Sequence, residues 1–245
     1  MTEQIKKRKN LDRFSLPLVL SLAGSLLMSP NPALAVEPTH EAIAARNALI
    51  TDHPPRIAPL SPDQFTPEQQ AVFEANAGIA PTASSSTGSN SLLVDMVGIL
   101  ARAPEVYAPH MDSARAFFTK IQLSPRDREL VILRTAWLSQ SPYEWGEHVR
   151  IGKDCGISSE EIERVTQGSE AQGWSDHDRA LVRSAEELHH GSYITDETWD
   201  QLSKAYDERQ MIELVMLIGQ YKTVAYYLNS LRISLREGSP GLLAR

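Results

Sequence analysis

Glu129, Arg134, Tyr143, Glu144, Glu147 and His148 fall within one stretch, from Arg126 to Gly156, where a plain helical hairpin would need none of them. Carboxylates and an imidazole are the groups of proton transfer: one takes a proton, another gives it, and a carboxylate beside the imidazole fixes its tautomer. Spacing decides whether they can meet. Ser141-Pro142 breaks the stretch. Proline suits the first position of a helix, where the N–H it lacks has no helical partner, and the serine before it is a good N-cap. A second helix is therefore expected from Pro142, with Glu144 and His148 four apart on one face. Glu129 belongs to the preceding helix, on the side shared with Leu133 and Ala136. Packed as an antiparallel hairpin, the two helices bring both carboxylates and the imidazole into one apolar pocket.

Each of these residues also has an ordinary explanation. Ser141-Pro142-Tyr143-Glu144 fits a capping box, in which Glu144 bonds back to the N-cap backbone. Glu129 near a helix start is favoured by the helix dipole. Yet it sits among Leu130, Val131, Ile132 and Leu133, and a buried carboxylate needs a partner. Arg134 is the local partner, as a structural ion pair or as a clamp for a substrate carboxylate. His148, beside Val149 and Ile151, is either a core histidine or one tuned by Glu144. Glu147 is expected on the solvent side. A Glu and His at helical spacing can also ligate metal, but a di-iron bundle needs a second such pair and two more carboxylates. His189 and His190, with Glu186 and Glu187 nearby, read as dipole partners at a helix C-terminus. No metal is expected. No GxGxxG, Walker loop, GxSxG or HExxH occurs, so no nucleotide cofactor, nucleophile-elbow hydrolase or zincin is expected either. Cys155 is the one cysteine; it has no partner for an internal disulfide and reads as a small packing residue.

The elements that must position these residues are helical. Of the 245 residues, 42% are hydrophobic and 22% charged, a globular composition. Residues 1–35 have the layout of a secretory signal peptide: a basic start, the short apolar run SLPLVLSLAGSLLM, and Ala33-Leu34-Ala35 before Val36. This implies export across the inner membrane to the periplasm, with no membrane span left after cleavage. Cleavage removes 5 of 24 basic and 2 of 31 acidic residues, leaving a formal charge of −10, a poor match for nucleic acid. Residues 36–89 read as an N-terminal arm and polar loop. The arm holds a short helix near Glu41 to Leu49 and a second, capped at Thr66 and ending near Gly78. The loop is PTASSSTGSN. Residues 90–237 form the helical domain, and 238–245 a C-terminal tail. Within the domain, Leu92, Leu93, Met96, Val97 and Leu100 repeat at helical spacing. Pro104, Ser124-Pro125, Ser158, Ser175 and Thr195 open further helices, the last over Asp196 to Ala205. Glu208 to Gln220 and Tyr221 to Arg236 follow, as two helices or one element bent near Gly219. No alternating strand pattern occurs, so the fold class is all-α, with eight or nine helices.

RELVILRTAWLSQSPYEW, from Arg128, aligns with IELVMLIGQYKTVAYYLN, from Ile212. Glu129 falls on Glu213, Trp137 on Tyr221, Tyr143 on Tyr227 and His148 on Arg232, as in a duplicated helical hairpin whose second copy lost the Glu/His pair.

RELVILRTAW…SPYEWGEHVRIGKDCGISSEEIERV resembles the carboxymuconolactone decarboxylase family, in the alkylhydroperoxidase D-like superfamily, and the likeness covers Asn90 to Arg236. It implies an alkylhydroperoxidase D-like helical bundle, assembled as a homo-oligomer, trimer or hexamer, with sites near subunit contacts. The peroxidase branch carries a Glu, then a CxxC, then a His four past the second cysteine. The same spacing here reads Glu129, Ser141, Glu144, His148, and both cysteines are replaced. The resemblance therefore implies an enzyme, a decarboxylase-like lyase or isomerase of a small carboxylated or lactone substrate, working by cofactor-free acid/base chemistry. Glu129, Glu144 and His148 would be catalytic, with Glu144 orienting His148, and Arg134, Tyr143 and Trp145 would hold substrate. The alternatives are a non-catalytic small-molecule-binding or scaffold member and, less favoured, a thiol-dependent peroxidase.

Overall fold

The computed structural model describes residues 38–76 and 96–245. Residues 1–35, expected to be a signal peptide, the PTASSSTGSN loop, Leu92 and Leu93 lie outside the described residues. Among the described residues every regular element is a helix.

His40–Thr51 (α1) and Pro67–Asn76 (α2) form the arm, and residues 96–100 form a helical turn (α3). Pro104–Thr119 (α4) packs on α2 through Tyr107 and Met111, with Val72, Val97 and Ala101 in the same small cluster. Pro125–Leu138 (α5) is the centre of the molecule. Its residues from Glu129 to Trp137 are all buried, because the helix is covered on every side by Pro142–Asp154 (α6), Ser159–Gln167 (α7), Asp176–Gly191 (α8) and Glu208–Leu231 (α10). A helix covered all round must be apolar all round, and LVIL followed by TAW meets that demand. Asp196–Leu202 (α9) packs on α8 and stops three residues short of Ala205.

Local chemistry starts and stops these helices where the sequence marks them. The hydroxyls of Ser124, Ser158, Ser175 and Thr195 each accept the N–H three residues on. The stretch aligned with the α5–α6 hairpin behaves differently. α10 runs straight through Gly219 and Tyr221, with no break. A sharp break needs a residue like Pro142, and the aligned position holds Tyr226.

The C-terminal residues are core, not a loose tail. Leu242 is fully buried in a short 3-10 turn, Gly241–Leu243, against α6 and α1. Trp145 Nε1–H donates to the Ala244 carbonyl at 3.0 Å.

Arg134 fastens α7 to α8. Its Nη1 donates to the carbonyls of Val165 (2.7 Å) and Thr166 (3.1 Å), and its Nη2 pairs with Glu186 at 2.8 Å. The chain passes this clamp at Gly168, with φ +90°, where an added Cβ would lie 2.6 Å from both Arg134 Nη2 and Glu186 Oε1. Gly168→Ala is therefore expected to destabilise the fold by about 2 kcal/mol, read as a lower urea midpoint at unchanged slope. An unchanged midpoint would show that the clamp is not tight.

Candidate active site

Glu129 and His148 meet. His148 Nδ1 lies 2.7 Å from Glu129 Oε2, and Arg128 Nε donates to the other oxygen, Oε1, at 2.9 Å. Glu129 is 0% and His148 7% exposed. The helices approach closely enough because α6 carries Gly152 at the crossing: a Cβ there would lie 3.2 Å from Leu133 Cδ1 and 3.9 Å from Glu129 Cβ. Tyr221 of α10 sets its ring edge-on to His148, with centroids 4.9 Å apart at 90°. The Arg128 guanidinium in turn rests 4.6 Å over the Phe118 ring.

Burial pushes the Glu129 carboxyl up, and the charges and hydrogen bonds of His148 and Arg128 more than reverse this, so its pKa is lowered. An ionised carboxylate accepts, so Nδ1 carries the hydrogen and donates, and the other nitrogen, Nε2, is left for chemistry. Among the described residues nothing bonds Nε2, and it is not sealed from solvent.

Glu144 is the opposite case. It is 1% exposed, and neither carboxyl oxygen has a hydrogen-bond partner among the described residues. Burial raises its pKa well above the usual carboxylate range, and the Lys222 ammonium pulls it down only in part. The capping box is absent because its backbone donor is already used. Gln140, with φ +47°, ends α5 in a left-handed turn, and Ser141 N–H donates back to the Ala136 carbonyl at 3.1 Å while Gln140 N–H reaches Trp137 O at 2.9 Å. Glu144 therefore has no N-cap N–H to accept from. It also does not orient His148; Glu129 holds that ring. Tyr221, whose own pKa is raised by burial and then by both carboxyls, lies near two groups whose pKa values shift in opposite directions, Glu129 down and Glu144 up.

The other expected site residues lie elsewhere. Arg134 is spent on the α7–α8 clamp, and Arg128 partners Glu129 instead. Trp145 is fully buried against Trp137, ring centroids 4.9 Å apart, and is a core residue. Tyr143 is half-buried and packs against the cluster of Ile99, Leu228 and Ile233. Glu147 is also half-buried, bidentate to Arg236 at 2.8 and 2.9 Å. Cys155 is half-buried at the end of α6. Burial first, and the Glu129 carboxylate second, raise its thiol pKa. Among the described residues no three His, Cys, Asp or Glu side chains gather as a metal ligand set. Sequence reasoning missed Arg128, Tyr221 and Lys222. Lys222 had a visible signal: it is the one charge between Glu213 and Arg232.

The all-helical fold is that of solved alkylhydroperoxidase D-like structures. Residues 104–187 match the model of the carboxymuconolactone decarboxylase family. Solved structures share the fold. The alkylhydroperoxidase D core of an uncharacterized peroxidase-related protein from Ralstonia eutropha JMP134 aligns at TM-score 0.60 and 14% identity, over 76% of this chain and 94% of that one. An uncharacterized peroxidase-related protein from Silicibacter sp. TM1040 gives 0.59 and 14%, over 77% and 97%. The debrominase Bmp8 gives 0.55 and 14%, over 74% and 92%. No curated protein matches the sequence.

Proposed function

We propose that this chain is an acid/base enzyme of the carboxymuconolactone decarboxylase family, a lyase or isomerase of a small carboxylated or lactone substrate. The observation that carries this is the 2.7 Å contact between His148 Nδ1 and the buried Glu129 carboxylate, which directs Nε2 away from the pair. An imidazole oriented in this way can deliver or remove a proton at carbon. In a decarboxylation the C–C bond to the carboxylate breaks, CO2 leaves, and the electron pair passes into the lactone carbonyl as a dienolate. His148 Nε2 then gives its proton to carbon and recovers one from water. In an isomerisation the same nitrogen first takes a proton. A thiol route has less support. Ser141 and Glu144 stand where a thiolate and its resolving partner would be, and the raised pKa of Cys155 opposes the thiolate form.

The test follows a panel of unsaturated lactones and hydroxy acids in D2O by proton NMR. The expected result is CO2 loss or deuterium uptake at carbon with the wild-type chain, and at least a tenfold slower rate with Glu129→Gln. If no panel member reacts, or if folded Glu129→Gln reacts at the full rate, the reading fails. Ligand-raised melting temperatures without reaction would mark a binding protein instead.

A further inference from the structure

A second polar cluster lies outside the His148 pair. A cavity of about 250 Å³ opens between α5, α8 and α10. Ala185, Leu188, Val215 and Ile218 give it apolar walls, and Lys222, His189 and Ser192 make its polar part. None of Arg128, Glu129 and His148 lines it.

The hydrogen bonds fix what that polar part offers. Lys222 Nζ donates to His189 Nδ1 at 2.9 Å and to Ser139 Oγ at 3.3 Å. Because His189 Nδ1 accepts from an ammonium, its hydrogen sits on Nε2, which is therefore a donor. Burial, with Lys222 beside it, pushes the His189 pKa down to about 4, so the ring is neutral near pH 7. Thr135 has already given its hydroxyl hydrogen to the Val131 carbonyl at 2.7 Å.

The Lys222 ammonium lies 5.4 Å from the centroid of the Tyr226 ring, a cation–π contact, but among the described residues it meets no anion. Among the described residues Lys222 forms no ion pair; both of its hydrogen-bond acceptors are neutral. Glu144 forms no ion pair with it, and burial raises the Glu144 pKa well above the usual carboxylate range, which disfavours its charged form. The C-terminus of α8 brings a partial negative charge of about half a unit, too little to cancel a full positive one. Burial accordingly lowers the Lys222 pKa, with Glu144 offsetting this only in part. A half-buried cation at the edge of an apolar cavity, with a neutral N–H donor beside it, lacks an anion with an apolar body.

We propose that this cavity binds a small monocarboxylate, its carboxylate on Lys222 and His189 and its apolar body between Leu188, Val215 and Ile218. The site is independent of the proton-transfer reading, since it uses none of that pair.

Isothermal titration of the full chain with benzoate and isovalerate tests it. Benzamide serves as the neutral isostere, and inorganic phosphate as an anion without an apolar body. Lys222→Met keeps the stem and removes the charge. Ile218→Trp fills the cavity and leaves the charge, so the two variants check each other should either fold poorly. At least one carboxylate should bind, about 10–100-fold more tightly than benzamide or phosphate. Its affinity should fall by a similar factor in both variants and stay unchanged in His148→Ala. The proposal is overturned if neither carboxylate binds below about 10 mM, if binding survives Lys222→Met, or if phosphate binds as tightly. Loss only in His148→Ala would overturn it too, placing the ligand at the other site.

Discussion

His148→Ala is expected to lower kcat/KM by about 10²–10⁴-fold on any substrate the wild-type chain turns over, the usual worth of a positioned acid or base. The loss should fall mainly on kcat, because the imidazole acts on the reacting proton and not on the rest of the substrate. Glu129→Gln should cost less. The amide carbonyl can still accept from Nδ1–H, so the ring stays in place, but the charge that supports an imidazolium is gone. The two residues act as a unit, so the double variant should be about as slow as His148→Ala alone. Additive losses would show that they work separately. His148→Ala should stay folded, because Arg128 still satisfies Glu129 Oε1 at 2.9 Å. Cys155→Ala should leave turnover unchanged. If the folded alanine variant at position 148 keeps its activity, the proton-transfer site is elsewhere.

The pH profile carries a further sign. Glu129 has a lowered pKa, so its ionised form persists across the neutral range and into acid below 4.5, the ordinary value. The limb of the rate profile that belongs to Glu129 must therefore lie on the acid side, with activity falling as pH drops through its folded pKa. In Glu129→Gln that limb should vanish.

What the sequence conveyed, and what it withheld, follows the range of the interactions. Helix starts were legible at Ser124, Ser158, Ser175 and Thr195 because a cap is a contact over three residues. The hairpin break at Pro142 was legible for the same reason. The meeting of Glu129 and His148 needed only the antiparallel packing that a short connection enforces. The partner of each was less accessible. Arg134 lies five residues from Glu129, about 140° around the helix, so it points to α7 and α8 instead. Arg128 adjoins Glu129 in sequence, and adjacent residues do not share a helix face; its long side chain bends back to make the pair. Glu144 and His148 do share a face, but which carboxylate reaches the ring depends on how α6 is rotated against α5. Gln140 hid the fate of Glu144. A left-handed residue that is not glycine gives no sequence signal, yet it turns the Ser141 N–H back to Ala136 and removes the capping box.

That isolation makes Glu144 a liability for stability that Glu144→Gln should relieve in a pH-dependent way. Burial raises its pKa well above 4.5, so the folded state binds a proton that the unfolded state releases. Stability must then fall as pH rises from the unfolded value up to the folded one, by about 1.4 kcal/mol per pH unit across that window. Glutamine has nothing to release. The advantage of Glu144→Gln over wild type should therefore grow as pH rises through that window. In melting temperature that is roughly 2–4 °C for each kcal/mol in a chain of this size. Urea denaturation of both proteins across this pH range measures it directly. A difference that stays flat would mean that Glu144 is ionised in the fold. A difference of the opposite sign would mean an ion pair with Lys222, whose loss the amide cannot replace. The growing advantage would identify a neutral carboxylic acid, held in a dry interior close to Tyr221 and ready to donate a hydrogen bond.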